Sequence, residues 1–183
     1  AYLRIGDGCD NCCTYCAIPQ IRGRLRSRGM ETIIEEAHKL VGNGVKELIL
    51  VAQDTTLYGV DLYGRPALSE LLEKLCEIDG LRWIRLLYCY PEHITDRLLG
   101  VIAAQEKIVK YMDIPIQHVS GSVLSAMNRP GDRNTLTEKI RKIRAAVPGI
   151  VLRTTVMTGF PGEGEDEFDE LCDFIREMRF ERL

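Results

Sequence analysis

The chain has 183 residues, the length of one domain, with 45% hydrophobic and 28% charged side chains; that balance excludes intrinsic disorder, collagen-like repeats and coiled coil, and leaves apolar mass for a sizeable core. Its 24 Lys and Arg against 27 Asp and Glu give a formal net charge of −3, so the surface as a whole is not that of a polyanion binder. No apolar run approaches the roughly 18 to 20 residues of a membrane-spanning helix, and the opening Ala1-Tyr2-Leu3-Arg4-Ile5 lacks the anatomy of a secretory signal, which predicts a cytoplasmic chain with no membrane partner.

In chain order, periodicity predicts a strand over Tyr2–Ile5, followed by a cysteine-rich loop. A helix over Glu31–Val41 comes next, with Ile33, Ile34, Ala37, Leu40 and Val41 on one face and Gly42 and Gly44 at its end. A strand over Lys46–Ala52 and a helix over Pro66–Ile78, carrying Leu68, Leu71, Leu72 and Leu75, repeat the unit. So do the strand Trp83–Tyr88 with the helix Thr95–Ala104, N-capped by Thr95, and the strand Tyr111–Ile116 with the helix Leu136–Val147, stopped by Pro148-Gly149. The strand Ile150–Met157 leads into a last helix whose Phe168, Leu171, Cys172, Ile175 and Met178 form one stripe behind an acidic first turn. Such alternation builds a parallel sheet with helices outside. Five units neither complete an eight-stranded barrel nor distinguish a barrel from an open sheet. Phe180-Glu181-Arg182-Leu183 reads as the entry to a sixth strand, and the chain as a piece of something longer. In such folds functional groups gather at the carboxyl ends of strands, which selects Cys9–Cys16, Gln53–Thr56, Cys89–Pro91, Gln117-His118 and Thr158–Glu163.

Seven cysteines are an odd number, and four of them fall between residues 9 and 16, a crowding that suits a disulfide framework poorly. In a reducing compartment, clustered thiols mark metal or redox chemistry. Cys76, Cys89 and Cys172 stand singly in apolar stretches and read as small buried hydrophobes. The cluster itself admits two spacings: Cys9-x3-Cys13-x2-Cys16 with Cys12 as a bystander, or two butted Cys-x2-Cys knuckles. A structural zinc site normally separates its knuckles by a dozen or more residues, and the adjacent Cys12 and Cys13 would diverge from one ion. Closely spaced thiolates suit an iron–sulfur cluster, and three of them on four irons leave one iron open for chemistry. The cluster is the favoured reading, with zinc and a non-metal role as the others.

Cys9-x3-Cys13-x2-Cys16 behind a first strand resembles the signature of the radical S-adenosylmethionine (SAM) superfamily. Cys16-Ala17-Ile18-Pro19-Gln20-Ile21-Arg22-Gly23 with Arg26-Ser27-Arg28, Gln53-Asp54-Thr55-Thr56-Leu57-Tyr58-Gly59 and Gly159-Phe160-Pro161-Gly162-Glu163 resemble the methylthiotransferases, over essentially the whole chain. Asp113-Ile114-Pro115-Ile116-Gln117-His118, Gln53-Asp54-Thr55 and Arg85-Leu86-Leu87-Tyr88-Cys89-Tyr90-Pro91 are closer to the branch that modifies an aspartate of a small-subunit ribosomal protein than to the tRNA-modifying branch. Cys12 falls where the family is variable. The resemblance implies an α/β fold, a partial (β/α)6 TIM-like barrel of the radical SAM type truncated near its sixth strand. Residues 1–183 would be the core domain, outside which lie an N-terminal domain with a second 4Fe-4S cluster and a C-terminal TRAM domain.

The resemblance further implies a 4Fe-4S cluster on Cys9, Cys13 and Cys16, with SAM at the open iron. It implies a transferase with a flavodoxin-like electron donor, a small-subunit ribosomal protein as substrate and a possible ribosomal RNA contact. Sulfur insertion at an unactivated aliphatic C–H is beyond acid–base catalysis, and a cofactor-borne radical is the way round. Reductive cleavage of SAM would give a 5′-deoxyadenosyl radical that takes hydrogen from the aspartate β-carbon. The chain alone would bind cluster and SAM without completing methylthiolation.

By the same resemblance Tyr15 packs beside the cluster and the adenine, and Gln53 and Asp54 meet the amino group of SAM; the plainer reading of Asp54 is a turn or helix cap. Gln117 and His118 end the fourth strand and meet ribose or substrate, unless His118 is a hydrogen-bonded structural residue. Arg153 and Thr155 share the strand face toward the barrel interior, with the SAM carboxylate as partner for Arg153. Gly159 and Phe160 open a glycine-rich turn that lets the backbone approach the adenosine, or that simply joins strand to helix. His38 and His93 read as surface residues. Arg22, Arg24, Arg26 and Arg28 form the only basic run, either a solvated loop or a contact for ribosomal RNA, ribosomal protein or the missing domain. It lacks the aromatic interleaving of a single-strand nucleic-acid surface.

Overall fold

Five of the apolar runs pair side by side, because alternate residues on each are apolar enough to bury one face of a sheet. The computed structural model describes residues 1–183. In order it contains β1 (Tyr2–Arg4), β2 (Gly6–Asp7), α1 (Ile18–Arg22), β3 (Arg26–Ser27), α2 (Met30–Gly42), β4 (Glu47–Val51), α3 (Val60–Tyr63), α4 (Leu68–Cys76) and β5 (Trp83–Leu86). There follow α5 (Asp96–Ala104), β6 (Ile108–Asp113), α6 (Gly121–Ala126), α7 (Arg133–Ala146), β7 (Val151–Arg153) and α8 (Glu165–Met178). The main sheet runs β1-β4-β5-β6-β7 and every pairing in it is parallel. Sequential parallel strands need a crossover between each pair, and α2, α4, α5 and α7 supply them.

Leu48 and Leu50 of β4, Ile84 and Leu86 of β5 and Leu152 of β7 are buried against the helix layer. From the other side come Ile33, Ala37 and Val41 of α2, Leu71, Leu72 and Leu75 of α4, Leu98 and Ile102 of α5, Ile140 and Ile143 of α7, and Phe174 of α8. All belong to one cluster of 41 buried residues, so the chain has a single core. The opposite sheet face is polar: the Arg85 guanidinium bonds Glu47 at 2.7 Å and lies 5.1 Å from the centre of the Tyr111 ring.

Phe180–Leu183 returns to the sheet edge where a sixth strand would lie, through an isolated bridge. Arg182 pairs in parallel with Arg153, and the Thr154 amide donates to the Arg182 carbonyl at 2.9 Å. The architecture is thus a partial barrel of the (β/α)6 kind.

Several elements differ from their sequence reading, each for a physical reason. β6 lies three residues earlier than expected, because Pro115 has no N–H to give a ladder. β7 stops at Arg153, and only an isolated bridge, Gln117 to Val156, continues it. α7 starts at Arg133 on a capping box of Asp132 and Thr135. In α8 the stripe is Leu171, Phe174 and Met178, while Phe168 is exposed. The Thr95 cap is present, its hydroxyl accepting from the Leu98 amide at 3.2 Å. Of the three scattered cysteines only Cys89 is fully buried; Cys76 and Cys172 are half-buried. No helix is long and apolar enough to cross a membrane.

Candidate active site

The cysteine loop leaves β2 at Gly8, where φ is 72° and a Cβ would lie 2.1 Å from the Arg24 carbonyl, so only glycine fits. The Cys9 amide donates to the Gly23 carbonyl at 3.1 Å, and the Asp10 carboxylate accepts from the Leu25 amide, which ties the loop to the antiparallel β2–β3 ribbon. Its far side is held by the end of α6. The Thr14 amide and hydroxyl donate to the Met127 and Ala126 carbonyls, and the Asn128 side chain donates to the Cys12 carbonyl at 2.8 Å.

Held in this way, Cys9, Cys13 and Cys16 edge one cavity of about 370 Å3, and Cys12 is exposed outside it. The same cavity is lined by Tyr15, Ala52 and Gln53 after β4, Tyr88 and Tyr90 after β5, Pro115 and Gln117 after β6, and Arg129. Four of the five strand-end segments selected from sequence therefore converge. The fifth joins through Phe160, whose ring meets the Tyr15 ring edge-on at 6.3 Å. Gly159 is exposed in the same turn, with φ 75°. Burial raises the Cys9 thiol above its ordinary pKa, against the Asn11 amide bond that lowers it.

Asp54 is not in this cavity. Its carboxylate is 2% exposed and fully engaged, accepting from the Thr56 amide at 3.0 Å and its hydroxyl, from the Asn11 side chain at 2.9 Å and from His93 Nδ1 at 2.9 Å. Burial pushes this carboxyl up, but the bonds from His93, Thr56 and Asn11 outweigh it and hold the carboxyl below its ordinary value. His93 is accordingly no free surface residue: it bonds Asp54 and stacks on Tyr90 at 5.0 Å. His38 is exposed.

Arg153 and Thr155 line a separate, larger cavity of about 630 Å3 with Arg85, Tyr111 and Arg182. Arg153 there faces Asp113 at 3.7 Å. Tyr88 lines the cysteine cavity and neighbours Arg153; its φ of 56° is an uncommon conformation for a bulky residue.

His118 is fully buried, and its Nδ1 accepts from the Ser120 amide at 3.0 Å, so the proton sits on Nε2. That nitrogen lies 3.4 Å from Oε1 of Glu163, without hydrogen-bond alignment, while Oε2 accepts from the Phe160 amide at 2.9 Å. His118 thus belongs to the support of the Phe160 turn. The arginine run divides: Arg28 is bonded to Glu36 at 2.6 Å and to the Arg4 carbonyl, whereas Arg22 and Arg24 make longer surface pairs with Asp7 and Asp10.

Asn11, Tyr88, Tyr90 and Arg129 escaped the sequence reading. Tyr90 stood within a selected strand end, but Arg129 follows a six-residue helix that the periodicity does not mark.

A five-stranded parallel sheet with three half-buried cysteines at its carboxyl edge is the frame of one class of protein, and the family description "Radical SAM superfamily" matches residues 3–175: the chain belongs to the radical SAM superfamily. Over all 183 residues it is 56% identical to the ribosomal protein uS12 methylthiotransferase RimO of Clostridium tetani and 55% identical to that of Clostridioides difficile. It spans 41% of the length of each of these relatives. Among solved structures it resembles the radical SAM methyltransferase TsrM of Kitasatospora setae, with a TM-score of 0.77 over 98% of this chain and 35% of that one at 15% identity. Coproporphyrinogen III oxidase (HemN) of Escherichia coli gives 0.64 over 97% and 41%, also at 15% identity. These two likenesses are of fold.

Proposed function

We propose that this chain is the radical SAM core of a methylthiotransferase acting on an aspartate of ribosomal protein uS12. Cys9, Cys13 and Cys16 would hold a 4Fe-4S cluster, and three ligands would leave one iron open to SAM. One observation carries the reading: the three thiols edge a single cavity at the carboxyl ends of parallel strands, in a chain that aligns over its whole length with relatives of that name. The donor set fits the group. Cys9, Cys13 and Cys16 line one cavity, and each iron of a cuboid cluster takes a single thiolate.

Cluster and SAM together supply a one-electron cleavage whose carbon radical takes hydrogen from an unactivated C–H. The protein supplies binding and shape. Tyr15 lines the cavity with aromatic surface, and Phe160 backs it edge-on. Gln53, exposed at the rim, and Gln117 offer amides to the polar ends of SAM. Asp54 works from behind, fixing Asn11 and with it the turn between Cys9 and Cys13. Arg153 and Thr155, in the neighbouring cavity, are assigned to the substrate side. Residues 1–183 then form the core domain, with the second cluster and the TRAM domain beyond it. A flavodoxin-like donor supplies the electron in the cytoplasm, and the exposed Arg22, Arg24 and Arg26 face ribosomal RNA.

The test is electron paramagnetic resonance on the anaerobically reconstituted, dithionite-reduced chain, with and without SAM. A four-iron signal that changes on adding SAM and vanishes in Cys13→Ala is expected. Zinc in place of iron, or a cluster indifferent to SAM, would defeat the reading. For the substrate, the full-length protein should add mass to uS12 and none to tRNA.

A further inference from the structure

Arg129 is 7% exposed, yet no carboxylate lies within ion-pair distance of it. Its guanidinium sits 4.2 Å from the centre of the Tyr90 ring, donates to the Pro115 carbonyl at 3.0 Å and reaches the Tyr15 hydroxyl at 3.4 Å. An arginine stays protonated in a protein interior, so this is a fixed positive charge withdrawn from water. Such a charge costs several kcal/mol on the order of magnitude unless something of opposite sign faces it. Burial works against the charge, and the neighbouring phenols of Tyr90 and Tyr15 together with the Cys13 thiol act the other way.

The missing counter-charge belongs where Arg129 points. It lines the cavity edged by Cys9, Cys13 and Cys16, and it is the only cationic side chain that does. Three thiolates on a four-iron cluster leave the assembly net negative, and one electron makes it more negative by a full unit. A cation held beside it stabilises the reduced form more than the oxidised one. We infer that Arg129 is the built-in counter-charge of the cysteine site, stacked on Tyr90 so as to raise the reduction potential of the cluster bound there. The inference rests on the cluster reading above and adds to it a residue that touches none of the three ligands' backbone. The planar guanidinium stacks on the Tyr90 ring and bonds the Pro115 carbonyl in one pose.

The experiment is a redox titration of the reconstituted chain, followed by electron paramagnetic resonance, on wild type, Arg129→Met, Arg129→Gln and Arg129→Lys, each with and without SAM. Circular dichroism checks that each variant is folded, and the neutral Gln variant stands in if the Met variant is not. The neutral variants should need a potential lower by on the order of 59 mV, a tenfold shift of a one-electron equilibrium, already without SAM. Lys should recover most of that shift. A folded, cluster-bearing neutral variant with the wild-type potential overturns the inference and leaves the cluster reading intact. So does a shift seen only with SAM, which would make Arg129 a partner of the SAM carboxylate. A wild-type chain that takes up no cluster overturns both.

Discussion

Asp54 accepts from three side chains and one amide while almost wholly shielded from water, and Gln53 beside it is exposed at the cavity rim. Asp54→Ala orphans buried donors and should cost about 1–3 kcal/mol, measured by urea denaturation at pH 7. Because the folded carboxyl is held below its unfolded pKa, its contribution is complete above that unfolded value of roughly 4 and is lost as the pH falls through the folded one. The difference between Asp54→Ala and wild type should therefore shrink in acid, and a constant difference down to pH 2 to 3 would contradict the assignment. Gln53→Ala should move stability by less than about 0.5 kcal/mol while weakening SAM binding on the order of tenfold, read by calorimetric titration. Those outcomes would separate two adjacent residues of one motif into a support and a contact. Their sequence gives both the same reading, because a carboxylate that binds a cation and one that collects local donors are the same residue until its neighbours are placed.

At the scale of elements, the apolar periods were legible where an element packs along its whole length. α4, with Leu68, Leu71, Leu72 and Leu75 buried, and β4, with Leu48 and Leu50, sit within two residues of their predicted ends. Legibility failed where backbone bonding overrides side-chain pattern. Ile114-Pro115-Ile116 alternates like a strand, but the Ile114 amide makes the last regular bond to β7, at the Arg153 carbonyl, and Pro115 has no N–H to continue the ladder. It failed again at α6, six residues long and too short for a period to declare itself. That helix matters more to the site than its length suggests, since its carboxyl end grips the cysteine loop through Ala126, Met127 and Asn128. Asn128 has φ 55°, a conformation glycine adopts freely. Asn128→Gly should therefore fold normally and lose only the bond to the Cys12 carbonyl. A reconstituted Asn128→Gly chain should release iron to a chelator up to about tenfold faster, with an unchanged melting temperature. A large fall in melting temperature with no change in iron release would show that Asn128 serves the fold instead of the loop.

Over the whole molecule, a sheet of five sequential parallel strands has two edges, and they differ. β1 pairs on one side alone, with β4. β7 is covered by the final residues: the Arg182 amide donates to the Leu152 carbonyl, the Thr154 amide to the Arg182 carbonyl, and the Leu152 amide to the Glu181 carboxylate at 2.8 Å. Phe180 adds apolar contact at 6.2 Å from the Phe174 ring. This terminal bridge is therefore part of what keeps Arg153 and Thr155 on their cavity, even though so short a segment shows no period of its own. Removing Glu181, Arg182 and Leu183 should cost about 1–3 kcal/mol, a few net hydrogen bonds. The loss should be local first: the amides of Leu152 and Thr154 should exchange with deuterium markedly faster, while those of β4 and β5, flanked by strands on both sides, keep their protection. Uniform acceleration across all five strands would mean that the barrel opens as a single cooperative unit. Unchanged protection at Leu152 and Thr154 would mean that the pairing with Arg182 carries no weight, and that the wall of the larger cavity is held by Asp113 and Arg153 alone.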